Sequence, residues 1–290
     1  MVSVILPVYN GEKTVERAIN SILHQTYSNF EFIIINDGST DRTLDILASF
    51  RDKRIRVLHQ ENRGLVASLN RGIKEVVGEY IARMDADDFA MPDRLKKQME
   101  FMENNPTVGV LGTAVKTVYS DGTERIRRRP VDTASIRKNI VKICPFCHSS
   151  VMIRRKVFDE VGLYDYAKDG STKLLVEDYD LWVRILAAGY DLANLPDVLM
   201  TYYREPDSIL RRRSVSMRIK QQVLSRVDVI KKLNLGYSTY LHIPPVVILS
   251  ILNHIGVRLD GIFNFLSGVS DPKKMVLKNN TVKGNADNLG

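Results

Sequence analysis

The sequence predicts an α/β fold: an open, mostly parallel sheet flanked by helices, with a C-terminal helical extension. Three observations carry this. Within the first hundred or so residues, four short apolar runs rich in β-branched residues alternate with stretches of helical periodicity. Polar, turn-forming clusters close the first, second and fourth of those runs. The composition, 44% apolar and 26% charged over 290 residues, suits a soluble chain able to bury a sizeable core. It excludes disorder as the main state, and two Cys are too few for a disulfide scaffold.

The elements follow in order. Residues 2–8 form a β-branched apolar run stopped by Asn10-Gly11, which reads as a buried strand. Val15, Ala18, Ile19, Ile22 and Leu23 recur at helical spacing. Residues 30–35 are a second strand ending at Asn36-Asp37-Gly38-Ser39, with Thr40 or Asp41 able to cap the helix whose apolar face is Leu44, Ile46, Leu47 and Phe50. Residues 55–58 are a third strand, 65–77 a helix, and 80–84 a fourth strand ending at Asp85-Ala86-Asp87-Asp88. Pro92 suits the first position of the next helix, ahead of Leu95, Met99 and Met102. Residues 108–119 and 124–128 flank a turn at Ser120-Asp121-Gly122, as in a hairpin, and 149–153 form a short strand. Residues 174–186 read as a helix with an acidic start, and 198–203 as a late strand. Beyond these, 214–233 and 244–266 are helical in pattern. The division expected is an α/β domain over 1–205, a helical region over 206–270 and a flexible tail over 271–290.

In open α/β sheets the ligand crevice lies outside the carboxyl ends of the strands. Asn10, Asp37 and Asp85 to Asp88 therefore converge although they are far apart in sequence. Carboxylates one residue apart at a strand end suit a divalent cation shared with phosphate oxygens, and they equally suit a solvated turn before a helix. Asp37 can accept hydrogen bonds from a base or ribose, or serve only its turn. Tyr9 offers a platform for a flat base, or merely packs at a strand end. Glu177 and Asp178, with Trp182 and Arg184 following, read either as a carboxylate base beside a sugar-stacking indole or as a solvated face with an Asp180–Arg184 pair. Cys144-Pro145-Phe146-Cys147-His148 matches the haem-attachment spacing, but nothing completes a zinc or redox site, so two free thiols are expected.

With these residues assembled, residues 1–205 resemble the family 2 glycosyltransferases of GT-A fold. The resemblance rests on VSVILPVYNGE, LHQTYSNFEFIIINDGSTDRT, NRGLVASLNRGIKEVVGEYIARMDADD, MPDRL, HSSVMIRR, FDEVGLYD, VEDYDLWVRI and YYR, in that order and spacing. It implies a nucleotide-sugar donor, most simply a UDP-sugar, a divalent metal (Mn²⁺ or Mg²⁺) and transfer with inversion. By position it implies that Pro7, Tyr9, Asn10, Asp37 and Arg63 line the nucleoside pocket, with Asp85 and the intervening Ala86 on the ribose side and Asp87 as the metal ligand. It also implies that Asp178 is the base, with Glu177 and Trp182 shaping the acceptor side. At the start of a predicted helix, end amides and nearby positive groups can keep that carboxylate ionised. Two departures stand out. No His follows Tyr203-Arg204, and the Gln-x-x-Arg-Trp motif of processive synthases is absent, so a single-addition enzyme is expected.

The 42 Lys and Arg against 34 Asp and Glu give a net charge of +8 and favour anionic partners. No nucleic-acid recognition motif with interleaved aromatics accompanies them, so a nucleic-acid-binding protein is the weaker reading. A nucleotidyltransferase is the other competitor, separable by its pyrophosphate product. The N-terminal residues lack the pattern of an export signal, and the most apolar stretch, 243–252, is shorter than a membrane span. A cytoplasmic enzyme is expected, with a saccharide or lipid-linked acceptor. Nine Lys and Arg between 204 and 232, followed by the apolar 244–266 helix, suit docking on an anionic membrane surface, and the apolar helix equally suits packing on the first domain.

Overall fold

A computed structural model describes residues 1–165, 177–204, 223, 225–227, 229–243, 245 and 247. The chain opens with β1 (Val2–Val8), α1 (Val15–Leu23), β2 (Phe30–Asp37), α2 (Thr43–Ser49), β3 (Ile55–Gln60), α3 (Leu65–Glu75) and β4 (Tyr80–Arg83). Next come the two-residue β5 (Phe89–Ala90), α4 (Arg94–Asn104), the hairpin of β6 (Val108–Tyr119) and β7 (Glu124–Arg127), and α5 (Thr133–Asn139). A 3-10 turn (His148–Ser150), β8 (Met152–Arg154), α6 (Arg155–Val161), α7 (Glu177–Ala187) and β9 (Asp191–Arg204) complete the sheet region.

Among the described residues the strands form one nine-stranded sheet in the order β3-β2-β1-β4-β8-β6-β9-β5, with β7 paired to β6. The expected parallel run is β3-β2-β1-β4. Beyond it the sheet is mixed: β8 is antiparallel to both β4 and β6, whereas β9 is parallel to β6. The mixed half has a topological cause. The first four strands are joined by strand–helix–strand crossovers and pair in parallel, whereas the later helices link strands that are not neighbours, β5 to β6, β7 to β8 and β8 to β9, and so set no parallel pair.

Period-2 alternation distributes the core between the two faces of the sheet. From β1 and β2, Val2, Val4, Leu6, Phe30, Phe32 and Ile34 face α1, α2 and α4, while Ile5, Ile33 and Ile35 face α3 and α7. Gly72 lets α3 approach closely, since a Cβ there would lie 2.8 Å from Ile5 Cγ2. The described C-terminal residues join the second face: Val229 and Ile230 are buried with α7, and Lys232 Nζ lies 2.7 Å from Asp180 Oδ1.

Several elements differ from their expected bounds. α4 begins at Arg94 rather than Pro92, because the Pro92 carbonyl accepts the Thr26 N–H at 3.0 Å. β9 is much longer than 198–203 and β5 had no periodic signal. No helix of the described residues is long and apolar enough to cross a membrane. Most of the 244–266 segment and all of the 271–290 tail lie outside the described residues.

Candidate active site

The loops after β1, β2 and β4 meet at the carboxyl edge of the parallel strands. Asn10 sits at φ 51°, and its side-chain oxygen accepts the Thr40 N–H at 2.8 Å, while its own N–H reaches Ser39 Oγ at 3.0 Å. This ties the β1 loop to the β2 loop. Pro7 is buried in β1, and Tyr9, just beyond the strand, is 51% exposed and can meet a flat ligand. Gly11 faces the β4 loop, a Cβ built on it lying 3.9 Å from Ala86 Cβ.

Asp37 is 4% exposed and its carboxylate is already in use. It accepts from Gln60 Nε2 at 2.6 Å and from the N–H groups of Arg63 at 2.9 Å and Gly64 at 2.8 Å. Gly38, at φ 73°, makes this turn; a Cβ there would come within 2.7 Å of Asn62 N. Asp37 therefore fixes the loop that carries the exposed Arg63.

Asp85, Asp87 and Asp88 each offer a carboxylate oxygen, all within 4.8 Å of one another. This arrangement fits a divalent cation, with Asp87 the exposed member and Asp88 the buried one. Burial first, then the neighbouring carboxylate of Asp85, raises Asp87 above the usual carboxylate range, and the same causes raise Asp88 further. A bound cation would relieve that crowding. Asp85 differs, since buried Arg83 grips it with both terminal nitrogens, Nη1 to Oδ2 at 2.7 Å. Burial opposes the charge on Arg83, but Asp85 outweighs it and keeps the guanidinium ionised. Arg94, fully buried, braces the carbonyl of Arg83 at 2.8 Å. Arg17 stacks 3.7 Å over the Tyr203 ring and donates to the Asp87 carbonyl at 2.8 Å.

The 3-10 turn joins this cluster to α7. Ser149 Oγ accepts the Asp85 N–H at 2.9 Å. Its neighbour His148 bonds Tyr164 through Nε2 at 2.9 Å and lies edge-on to Trp182, with centroids 5.8 Å apart. Burial, and then the Arg83 cation, push His148 well below the usual imidazole range, so it stays neutral. Trp182 has no exposed surface and is wedged between His148 and Phe146, the latter at 5.1 Å. The expectation that its indole presents a sugar-stacking face is corrected here. Asp178 and Trp182 share a helix face, but the tryptophan is one turn further in, beneath residues 146–148, and buttresses the site from below.

Asp178 lies at the start of α7, its Oδ1 accepting the Tyr179 N–H at 2.7 Å and its Oδ2 4.0 Å from the Cys144 thiol. Burial first, and then the adjacent Glu177, push its carboxyl up to about 7. Helix-end amides and nearby positive groups were expected to keep it ionised: the Tyr179 amide and Arg83 do lower it, and burial outweighs them. Glu177 is half-buried beside it. Cys144 and Cys147 are both free thiols. The Asp180–Arg184 pair forms at 2.9 Å.

Sequence reasoning missed Arg17, Arg83, His148, Ser149 and Tyr164. Arg83 carried one readable signal, since it sits two residues from Asp85 in a strand buried throughout and so shares its face.

The family model described as "Glycosyl transferase family 2" matches residues 3–162. The amylovoran biosynthesis glycosyltransferase AmsE of Erwinia amylovora is 33% identical over 218 residues, covering 73% of this chain and 80% of AmsE. Among solved structures, S. aureus TarS 1–349 in complex with UDP-GlcNAc superposes with a TM-score of 0.63 at 19% identity, covering 94% of this chain and 77% of that one. The mannosyltransferase PcManGT from Pyrobaculum calidifontis in complex with GDP-Man and Mn²⁺ gives a TM-score of 0.56 at 18% identity, over 96% and 79% of the two chains.

Proposed function

Because the chain belongs to glycosyl transferase family 2 and has the GT-A fold, we propose that it moves a hexosyl group from a nucleotide-diphosphate sugar to an acceptor hydroxyl, with inversion and without processivity. The observation that carries the reading is the joining of two carboxylate centres through residues 148–149. Asp85, Asp87 and Asp88 stand on one side, and Asp178 stands on the other.

In this reading Tyr9, Asn10 and Arg63 receive the nucleoside, Asp37 holding the Arg63 loop in place. Asp85, oriented by Arg83, accepts from the ribose. A UDP-sugar is the preferred donor, supported by the UDP-GlcNAc that TarS binds. Asp87, with Asp88 beside it, would hold Mn²⁺ or Mg²⁺. The bound cation would neutralise charge on the departing diphosphate. Asp178 takes the proton from the acceptor hydroxyl as the oxygen attacks the anomeric carbon opposite the leaving group, and one displacement inverts that centre. Glu177 sits on the acceptor side and raises the basicity of Asp178. The acceptor is a saccharide or a lipid-linked saccharide of bacterial surface polysaccharide or glycolipid assembly, a setting supported by the biosynthetic name of AmsE.

Calorimetric titration with UDP, GDP and dTDP tests the donor side. One of the three, expected to be UDP, binds with Mn²⁺ present and at least about tenfold more weakly in EDTA. Absence of binding by all three in Mn²⁺ would sink the reading.

A further inference from the structure

Among the described residues, two guanidinium groups on the Cys144 and Tyr179 side of Asp178 have buried nitrogens without an acceptor. Asn194 places the first. Its side-chain amide donates to the carbonyls of Pro130 at 2.8 Å and Pro145 at 3.1 Å, and its backbone N–H donates to Val131 at 3.0 Å. These bonds pin the segment leaving β7 against residues 144–147 and bring Arg129 toward Cys144. The thiol of Cys144 is in turn 4.0 Å from Asp178 Oδ2. The charge of Arg129 reaches that thiol, and so does that of Arg226 from the C-terminal side.

Arg226 is 6% exposed and stacks 4.9 Å over the ring of Tyr179, the residue after Asp178. Buried Val229 and Ile230 and the Lys232–Asp180 ion pair hold its segment on α7. Its Nη1 meets Ser225 Oγ at 3.1 Å, but its Nε is buried with no acceptor. Arg129 leaves both Nε and Nη1 buried with no acceptor. A buried guanidinium donor without an acceptor is costly, and neither arginine has a carboxylate partner among the described residues.

We propose that Arg129 and Arg226 form an anion subsite of the acceptor, for a phosphoryl group carried close to the accepting hydroxyl. The inference rests on Asp178 marking the acceptor side. A phosphoryl group fits better than a carboxylate. Two guanidinium cations match a charge near −2, and its oxygens can accept charge-assisted bonds from the three unpartnered nitrogens. The group can belong to a diphosphate-linked lipid acceptor or to a phosphorylated saccharide.

The test is titration in EDTA with inorganic pyrophosphate, glucose 1-phosphate and glucuronate, on the parent and on Arg129→Gln, Arg226→Gln and Arg226→Lys. UDP binding in Mn²⁺ is measured alongside and is expected to be unchanged in every variant, which shows that the variants fold. The parent binds a phosphoryl probe, each Gln variant loses about tenfold or more, and Arg226→Lys recovers part of the loss. Pyrophosphate binding more tightly than glucose 1-phosphate marks the lipid diphosphate, and the reverse marks a phosphorylated saccharide. The proposal is overturned if glucuronate binds most tightly, if the Gln variants bind like the parent, or if the parent binds UDP with Mn²⁺ but none of the anions. In that last case the donor reading stands and only the subsite falls.

Discussion

Asp178→Asn is expected to keep the fold and the affinity for nucleoside diphosphate while lowering turnover by about 10²- to 10⁴-fold, the range for loss of a positioned general base. The parent should also show a pH limb. With burial and Glu177 pushing Asp178 up to about 7, the base is protonated and idle below that pH. Turnover should therefore rise with pH, roughly tenfold per unit, and level off above about 7. The limb should vanish in Asp178→Asn. Glu177→Gln separates the two acids, because it removes a charge that raises Asp178. If Asp178 is the base, this variant stays active and its limb moves to lower pH. If Glu177→Gln is inactive while Asp178→Asn turns over at near the parent rate, the roles are exchanged.

Asp87→Ala should reduce the affinity for UDP in Mn²⁺ to the value the parent shows in EDTA. Asp87 is the exposed member of the cluster, and Arg17 fixes its backbone rather than its carboxylate, so its removal leaves no buried charge stranded. Asp85→Ala should behave differently. It weakens the nucleotide even in excess metal, and it also lowers Tm, because Arg83 is left buried without its bidentate partner. Calorimetry and a melting curve on both variants distinguish the two. Unchanged UDP affinity in Asp87→Ala with Mn²⁺ would move the metal elsewhere or remove it from the account.

The parallel half of the sheet was legible because its first, second and fourth strands each end in a polar cluster, and the crevice rule then brings those clusters together without coordinates. Asn10, Asp37 and Asp85 to Asp88 follow from that rule alone. The mixed half was less legible. β5 has two residues and no periodicity, and β8 joins the sheet through a 3-10 turn rather than a crossover helix. Trp182 shows the limit of helical spacing. The i, i+4 relation puts it on the face of Asp178, but only the chain folding over it, residues 146–148, decides that the face is buried at that point. The state of Asp178 was hidden for the same reason. A helix start favours a carboxylate's charge and burial opposes it, and the outcome depends on neighbours such as Cys144, which is 34 residues away. Arg94 opens α4, a helix rich in charged and polar residues, and nothing in the sequence marks it as the one that is fully buried.

The central claim is that a sugar leaves a nucleoside diphosphate at the Asp87 cluster and is received under the control of Asp178. Product analysis tests it most directly. Purified protein, Mn²⁺, a UDP-sugar and an extract of lipid-linked saccharides are incubated together. Phosphorus NMR then follows the nucleotide, and proton NMR follows the anomeric configuration of the transferred sugar. The account predicts one nucleoside diphosphate per sugar transferred, and a glycosidic bond of configuration opposite to that in the donor. Release of pyrophosphate, or a product that keeps the donor's configuration, would contradict it.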